Sequence, residues 1–285
     1  MESRRRFSIW DPPIYLILLG YTVVVVYPMV WLLYSSLKRD KDVFLEPFKL
    51  PPWNDLQWPN FVRAWTDGRF GQYFGNSVAI TVATVAAVLI LSAMTAYALS
   101  RFHFRGARPL FFYFLAGLMI PLQLAIVPLF FQMKRFHLLD SLTGLLMVYV
   151  AFGMPFSVFI LTGFFKSLPS ELHESALMDG ASEVKAFWSI MLPLARPGLI
   201  TVAIFSFLST WNEFFLAFMF LSGKASETIR TLPLGLANIT IVSQYRSDWG
   251  EAFAALVMVM MPTLLLYAFL QKHLTKGITM GALKG

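Results

Sequence analysis

The uncharged run at residues 70–100, FGQYFGNSVAITVATVAAVLILSAMTAYALS, decides the fold. It holds 31 residues without an Asp, Glu, Lys or Arg. Crossing the hydrocarbon core of a bilayer takes about 20 predominantly apolar residues in a helix. Only helices and closed barrels satisfy every backbone group in lipid, and the sequence lacks the ten-residue alternating strands of a barrel. The run therefore predicts a transmembrane helix.

Five further runs of this kind lie before and after it. The chain of 285 residues is 57% hydrophobic and 14% charged, and its mean hydropathy of +0.64 far exceeds what a soluble domain needs. The first run is longer than the apolar core of a signal peptide and lacks a cleavage pattern, so we interpret it as an uncleaved span. The predicted fold is an all-α membrane protein with six transmembrane helices, at about residues 12–37, 72–100, 109–132, 141–165, 197–222 and 252–271.

Composition argues against several kinds of site. The net charge of +7 comes from basic residues scattered between apolar runs, unlike the clustered patch of a nucleic-acid-binding protein. With no cysteine, the chain has no disulfide, thiolate metal site or cysteine nucleophile. Its four histidines stand far apart in the sequence without a second ligand at metal spacing, so we expect no bound metal.

Six spans place both termini, residues 1–11 and 272–285, on one side of the membrane. Of the 23 Lys and Arg residues, twelve fall on the side of the termini, which does not decide the orientation. The short connection after the second span carries Arg101, Arg105 and Arg108, and the positive-inside rule is most reliable for short loops. We therefore expect both termini to be cytoplasmic.

The long connection at residues 38–69 is rich in proline and tryptophan. Aromatic rings settle at the level of the lipid headgroups, and prolines suit an ordered segment. Trp53, Trp58 and Trp65 therefore predict a structured segment at the outer membrane surface. A contact surface for an extracellular partner is the alternative, and the residues do not separate the two.

The connection at residues 166–196 is too charged to insert into lipid, yet it is patterned for helices. Pro169 and Glu171 are typical of a helix start, and Gly180 is typical of a stop. They predict a short helix at about residues 169–179.

A second, amphipathic helix is predicted to follow, capped by Ser182 and ended by Pro193. Its apolar residues recur at the i, i+3, i+4 and i+7 spacing of one helix face, namely Val184, Phe187, Trp188 and Met191. Such a face must be covered by lipid headgroups, by the rest of the bundle or by another protein. The acidic balance of the loop argues against anionic lipid. Packing on the chain's own bundle and docking to a partner both stay open.

The same loop carries the residues of a known motif. It resembles the EAA loop of permeases from ATP-binding-cassette (ABC) importers in two stretches, Glu174-Ser175-Ala176-Leu177-Met178-Asp179-Gly180-Ala181 and Ile190-Met191-Leu192-Pro193. The family pattern is Glu-Ala-Ala, three residues, Gly, nine residues and Ile-x-Leu-Pro, and the spacing matches without a gap. Ser175 stands where the pattern has its first alanine.

The resemblance implies that the loop forms a coupling helix seated in a cleft of a cytoplasmic ATPase subunit. The residues that it places at this joint are Glu174, Ser175, Ala176, Asp179, Gly180, Ala181, Ile190, Leu192 and Pro193. For Asp179, capping of the second helix within its own chain is the alternative.

The last nine residues, Gly277-Ile278-Thr279-Met280-Gly281-Ala282-Leu283-Lys284-Gly285, resemble the ending of maltose-type sugar permeases. In that subgroup the ending reaches between the two ATPases, which implies such contacts for Gly277, Thr279, Gly281 and Lys284. The resemblance covers nearly the whole chain and implies import of a carbohydrate by alternating access across a bacterial or archaeal plasma membrane. The implied partners are a second, homologous permease subunit, two ATP-binding subunits and an extracellular or periplasmic solute-binding protein.

Three polar residues within the apolar runs are candidates for the translocation path: Gln123, Asn212 and Glu213. Glu213 is the only formal charge in the six runs, and because a charge facing lipid is costly it should face the bundle interior or a water-filled path. A hydrogen bond to Asn212 or to a partner chain is the alternative. Gln123 lies between Pro121 and Pro128, where a broken helix can free carbonyls to line a cavity; a packed kink is the alternative.

The sequence contains no phosphate-binding Gly-x-x-x-x-Gly-Lys-Ser/Thr loop and no organised catalytic set. We therefore expect ATP and Mg²⁺ on partner subunits, no cofactor on this chain and no enzymatic activity of its own. The main rival is a secondary transporter driven by an ion gradient, with Glu213 as the proton or sodium site, but this hypothesis leaves the 166–196 loop without a role. A membrane enzyme would lack reactive residues.

Overall fold

The computed structural model describes residues 11–246 and 248–282, and this part of the chain is helical, without a strand. Its α-helices are α1 (Asp11–Ser35), α2 (Asp40–Leu45), α3 (Pro59–Thr66), α4 (Phe70–Arg101), α5 (Ala107–Met119), α6 (Leu122–Arg135), α7 (Leu142–Ser167), α8 (Ser170–Met178), α9 (Glu183–Ala186), α10 (Leu192–Leu194), α11 (Arg196–Trp211), α12 (Phe215–Phe220), α13 (Leu232–Arg246) and α14 (Trp249–Ala282). Short 3₁₀ turns lie at Trp53–Asp55 and Lys224–Thr228, and a π turn at Phe187–Met191 joins α9 to α10.

Four of the described helices are long and apolar enough to cross a membrane, and they coincide with the first, second, fourth and sixth predicted spans. They are Pro12–Ser35, Phe70–Arg101, Leu142–Ser167 and Trp249–Phe269. Two bent helix pairs raise the number to six if each pair is one span. The chain is therefore an all-helical protein with four to six candidate spans.

The third and fifth predicted spans are not continuous. Residues 109–132 are divided between α5 and α6, which meet at an angle of 103°. Pro121 forces an extended backbone on Ile120 before it and takes the N-cap position of α6. Residues 197–222 are divided between α11 and α12, and α11 itself meets the preceding segment Glu183–Leu194 at 75°.

The chain divides into two compact units, of which the first comprises residues 1–70 and 236–260. In its described part, the 38–69 connection contains α2, a 3₁₀ turn and α3. The buried Asn60 donates hydrogen bonds to the carbonyls of Ser36 and Lys38, and Asp40 accepts from the backbone N–H of Gly250 at 2.8 Å. These bonds explain why the connection is a structured segment, as predicted.

Lys38 is the most enclosed charge of this segment, with 4% of its surface exposed. Its ammonium group donates to the carbonyls of Glu46 and Pro47 and lies 4.9 Å from the Tyr34 ring centroid. Burial lowers the pKa of Lys38, and the nearby carboxylates of Asp42 and Glu46 partly oppose this shift. By contrast, 92% of the Trp53 surface is exposed, so this ring is available to lipid or to a partner.

The second unit comprises residues 71–235 and 261–285, and α7 is its central helix. One core cluster surrounds Leu145 and Tyr149 near the start of α7, and a second surrounds Leu161 and Phe165 near its end. Glycine lets α11 approach α7 closely, because a Cβ on Gly198 of α11 would lie 2.6 Å from the Phe164 ring of α7. Small residues at helix contacts are typical of membrane bundles.

Replacing Gly144 by alanine is expected to destabilise this unit by about 1 to 3 kcal/mol, because the new methyl group would overlap the carbonyl oxygen of Leu138 and lie 2.7 Å from Met133 Cε. The matched control is Gly163→Ala in the same helix, where the methyl group would meet no atom within 4 Å. Alanine there should be neutral or stabilising by about 0.5 to 1 kcal/mol. Thermal unfolding of the purified variants in detergent measures both, and equal Tm values would contradict the packing described.

Candidate functional site

The 166–196 loop begins with α8, which matches the helix predicted at about residues 169–179. Its end has the hydrogen bonds of a Schellman motif: the N–H of Gly180 donates to Leu177, and the N–H of Ala181 donates to Ala176, each at 3.0 Å. Gly180 has a φ of +83°, in the left-handed region. The turn between the two helices therefore depends on a glycine at this position.

Ser182 caps α9, as predicted, by accepting a hydrogen bond from the N–H of Lys185 at 3.3 Å. Asp179 instead closes α8, so the alternative that it caps the second helix is wrong. The prediction that Pro193 ends the second helix is wrong, because Pro193 lies inside α10 and the chain bends after Leu194. The helix passes through the π turn just before this proline, where the N–H of Leu192 bonds to the carbonyl of Phe187.

The predicted apolar face of the second helix is divided between two environments. Phe187 and Met191 are 5% and 0% exposed and belong to the second core cluster, whereas Val184 and Trp188 are 67% and 48% exposed. Packing on the chain's own bundle is therefore correct for one half of the face. The other half of the face, Val184 and Trp188, is exposed and is not covered by the described part of this chain.

Polar and aromatic contacts fix the loop to the end of α4. The Tyr97 ring of α4 lies 5.0 Å from the Phe187 ring, and its hydroxyl donates to Glu183 Oε2 at 3.3 Å. His173 Nε2 lies 2.9 Å from the same carboxylate oxygen. Tyr97 did not stand out in the sequence, since a tyrosine near the end of an apolar run is indistinguishable from a membrane-interface residue.

The residues predicted to contact the ATPase differ in their exposure. The residues on the outside of the loop are Glu174, Ser175, Asp179, Gly180 and Pro193. Ala176 is buried, and Ile190 and Leu192 are half-buried against the second core cluster. Ala181 is half-buried and follows the Gly180 turn. The inward residues support the shape of the loop, and the outward ones are available to a partner.

The outward side chains of the loop are mainly apolar and acidic. Its most exposed apolar side chain is Met178, 88% exposed, accompanied by Val184 and Trp188. The acidic residues on the outside are Glu171, Glu174, Asp179 and Glu183. An exposed apolar patch bounded by charge is typical of a protein–protein contact. We call Met178, Val184, Trp188 and these four acids the docking face.

A cleft of ≈ 270 Å³ opens among α4, α7, α11 and α12 of the second unit. Five lining residues carry hydroxyl groups: Thr84, Ser157, Ser206, Ser209 and Thr210. Three others carry aromatic rings: Phe152, Phe156 and Phe205. Tyr149 and Glu213 lie at the same cleft. Hydroxyl groups at residues 206, 209 and 210 fall on one helix face, a spacing that could have indicated the cleft from the sequence.

The Glu213 carboxylate accepts three hydrogen bonds at this cleft. Its Oε1 accepts from the N–H of Leu216 at 2.7 Å, and its Oε2 accepts from the N–H of Ala217 at 3.1 Å and from the Tyr149 hydroxyl at 2.8 Å. The carboxylate thus satisfies the free N–H groups that begin α12 and links them to α7. The interhelical hydrogen bond considered for Glu213 therefore exists, but its partner is Tyr149 and not Asn212.

The other two predicted path residues lie elsewhere. Asn212 is exposed and donates to the carbonyl of Leu208 at 2.8 Å, at the end of α11. Gln123 is exposed on the first turn of α6 and does not line the cleft. Pro121 does break the helix, whereas Pro128 lies inside α6, so Gln123 follows a single bend of the backbone.

The predicted tail contacts fall partly outside the described residues. Gly277, Thr279 and Gly281 belong to α14, which continues to Ala282. Lys284 lies outside the described residues, as does most of the predicted N-terminal segment. The tail's contact with ATPases stays a prediction.

Known proteins resemble this chain over nearly its whole length. The family described as "Binding-protein-dependent transport system inner membrane component" matches residues 88–280. The diacetylchitobiose uptake system permease protein NgcG of Streptomyces coelicolor is 41% identical over 283 residues, covering 99% of this chain and 91% of that protein. The trehalose transport system permease protein SugB of Mycobacterium tuberculosis is 32% identical, covering 94% of this chain and 95% of that protein.

A solved structure also matches. It is a chain from a bacterial ABC transporter involved in the import of the acidic polysaccharide alginate, with a TM-score of 0.79 and 25% sequence identity. The match covers 94% of this chain and 98% of that chain. The overall fold of this chain is therefore similar to that of a chain in a solved ABC transporter.

Proposed function

The chain belongs to the family of binding-protein-dependent transport system inner membrane components, and from this premise we propose that it carries a carbohydrate through the membrane as the permease subunit of an ABC importer. The observation that supports this proposal most directly is the docking face, an uncovered apolar patch on a loop with the EAA spacing. The two relatives named above transport diacetylchitobiose and trehalose.

The docking face fits a groove with an apolar floor and basic edges in a cytoplasmic ATPase subunit. Met178 and Trp188 supply apolar area, and Glu174 and Asp179 supply charge that Arg or Lys side chains can bind. Because Phe187 and Met191 anchor the other side of the loop in the second core cluster, a push on the docking face moves the ends of α4 and α7. This is the mechanical link that alternating access requires.

The cleft beside Glu213 is our candidate for part of the translocation path. Sugars present many hydroxyl groups together with apolar ring faces, and sugar-binding surfaces combine polar side chains with aromatic rings. The cleft offers both, with hydroxyl groups on α11 and the rings of Phe152 and Phe156 on α7. Gln123 and Asn212 stay candidate path residues, although neither lines this cleft.

The complete importer, as we propose it, contains a second permease chain, two ATP-binding subunits and an extracellular solute-binding protein. ATP and Mg²⁺ bind to the ATPases and not to this chain. Both termini and the 166–196 loop face the cytoplasm, and the 38–69 connection lies outside. Gly277, Thr279, Gly281 and Lys284 extend toward the ATPases.

A secondary transporter that uses Glu213 as its ion site is less well supported. The Glu213 carboxylate already accepts three hydrogen bonds, two of them from the N–H groups at the start of α12. The docking face also has no role in that mechanism. Uptake of labelled sugar by proteoliposomes separates the two: the importer needs ATP and the binding protein and continues when proton and sodium gradients are collapsed.

Docking is tested by introducing single cysteines, since the natural chain has none. In Met178→Cys, bound ATPase subunits should slow maleimide labelling by about tenfold or more, because the core of a protein interface excludes water. Trp53→Cys, at a residue 92% exposed, is the matched control and should label at the same rate with and without ATPases.

The same two variants test the orientation. A membrane-impermeant maleimide should label Met178→Cys only in inside-out vesicles and Trp53→Cys only in right-side-out vesicles. Unchanged labelling of Met178→Cys on ATPase binding would rule out the docking face, and the reverse sidedness would rule out the orientation.

A further inference from the structure

A second pocket, of ≈ 560 Å³, lies where α4 and α7 end and α5 begins. Lys166, the first residue of the 166–196 loop, is among its lining residues. Its basic lining residues are His103, Arg108 and Lys166, and no acidic residue lines it. The rings of Phe104, Phe111 and Phe112 form its apolar part. We call it the basic pocket, and neither the family nor the proposed transport function assigns it a role.

Two cations of the basic pocket are held over aromatic rings and not by carboxylates. The guanidinium carbon of Arg108 lies 5.8 Å from the Phe112 ring centroid, and Lys166 Nζ lies 5.4 Å from the Phe111 ring centroid. Among the described residues, neither cation has an ion pair within 4.0 Å. A cation over a ring keeps its N–H groups available, so both can donate to an anion.

The neighbouring Arg101 fixes the geometry of the pocket without contributing to binding. Its guanidinium donates to the carbonyls of Phe165 and Leu168, each at 2.9 Å, and so ties the end of α4 to the end of α7. This holds Lys166 beside the first turn of α5, where Ala107 lines the pocket. The N-terminus of α5 adds the positive end of its helix dipole to the two cations.

The apolar part of the pocket indicates an amphipathic ligand. Phe104 and Phe112 are 45% and 53% exposed, and both adjoin the ends of membrane-spanning helices. A soluble phosphate has no apolar group that could cover the exposed phenylalanine rings. A phospholipid has its phosphate at the membrane surface, near the ends of the spanning helices, and its acyl chains can pack against the rings. We propose that the basic pocket binds the phosphate of an anionic phospholipid through Arg108 and Lys166, with its acyl chains lying against Phe112.

The test uses the purified full-length chain in detergent and counts bound lipid by native mass spectrometry. The probes are phosphatidylglycerol, phosphatidylcholine and inorganic phosphate. Phosphatidylglycerol should bind more tightly than phosphatidylcholine, and the Arg108→Gln/Lys166→Gln double variant should weaken phosphatidylglycerol binding by about 25-fold, or about fivefold for each basic residue. Lys134→Gln, which removes an exposed cation from the last turn of α6, is the matched control and should leave it unchanged.

The conservative Arg108→Lys/Lys166→Arg variant keeps both charges and should keep selective binding. Loss of selectivity in this variant at unchanged helical content would overturn the proposal. Equal binding of the two lipids to the natural chain would overturn the proposal. So would a double variant that binds phosphatidylglycerol normally. If inorganic phosphate at millimolar concentration displaces the lipid completely, the site takes a soluble anion and the lipid assignment is wrong.

Discussion

Replacing Gly180 by proline is expected to reduce binding-protein-stimulated ATP hydrolysis and sugar uptake by about 100-fold, the equivalent of about 3 kcal/mol. Gly180 has a φ of +83°, whereas the proline ring holds φ near −65°. Proline also removes the N–H that donates to Leu177. The Schellman turn between α8 and α9 cannot form, so the docking face loses its shape. The measurement is ATP hydrolysis by the assembled importer in proteoliposomes with and without binding protein.

A graded series at the same residue separates backbone geometry from side-chain bulk. A Cβ on Gly180 would meet no atom within 4 Å, so alanine is penalised only by its conformation, about 1 to 2 kcal/mol for a left-handed residue. Asparagine tolerates that conformation better than alanine. Coupling should therefore fall in the order Gly, Asn, Ala, Pro. If Gly180→Pro retained stimulated hydrolysis, the turn would not transmit the movement of the ATPases.

The sequence predicts the parts of this fold that depend on local chemistry. Uncharged length alone predicts α1, α4, α7 and α14, because each must satisfy its backbone within the helix. Helix-start and helix-stop residues also predict α8 and the Ser182 cap, since both use hydrogen bonds between residues close in sequence.

The sequence does not predict features that depend on residues far apart in the chain. Pro121 indicates a break but does not determine the angle of 103° between α5 and α6. The π turn before Pro193 divides the apolar face of the second helix, and a regular helical period cannot reveal this. Residues 149 and 213 lie 64 positions apart, so their hydrogen bond becomes visible only in the folded chain.

Removing the carboxylate of Glu213 is expected to have the other large effect, a loss of about 3 kcal/mol or more in stability together with loss of transport. Alanine at this position leaves the N–H groups of Leu216 and Ala217 and the hydroxyl of Tyr149 without their acceptor. Such donors are costly to leave unpaired where water is scarce, at about 1 to 3 kcal/mol each. Thermal unfolding in detergent and ATP-driven uptake in proteoliposomes measure the two losses.

Three further variants identify which property of Glu213 matters. Glu213→Gln keeps one acceptor oxygen but turns an amide N–H₂ toward donors, so it should lose less than alanine; Tyr149→Phe removes a single hydrogen bond and should cost about 1 kcal/mol. Asn212→Ala changes the exposed neighbour and should stay within about 0.5 kcal/mol. If Glu213→Gln instead kept full stability and lost only a response to a proton or sodium gradient, the carboxylate would be an ion site, and the ATP-driven mechanism would be wrong for this cleft.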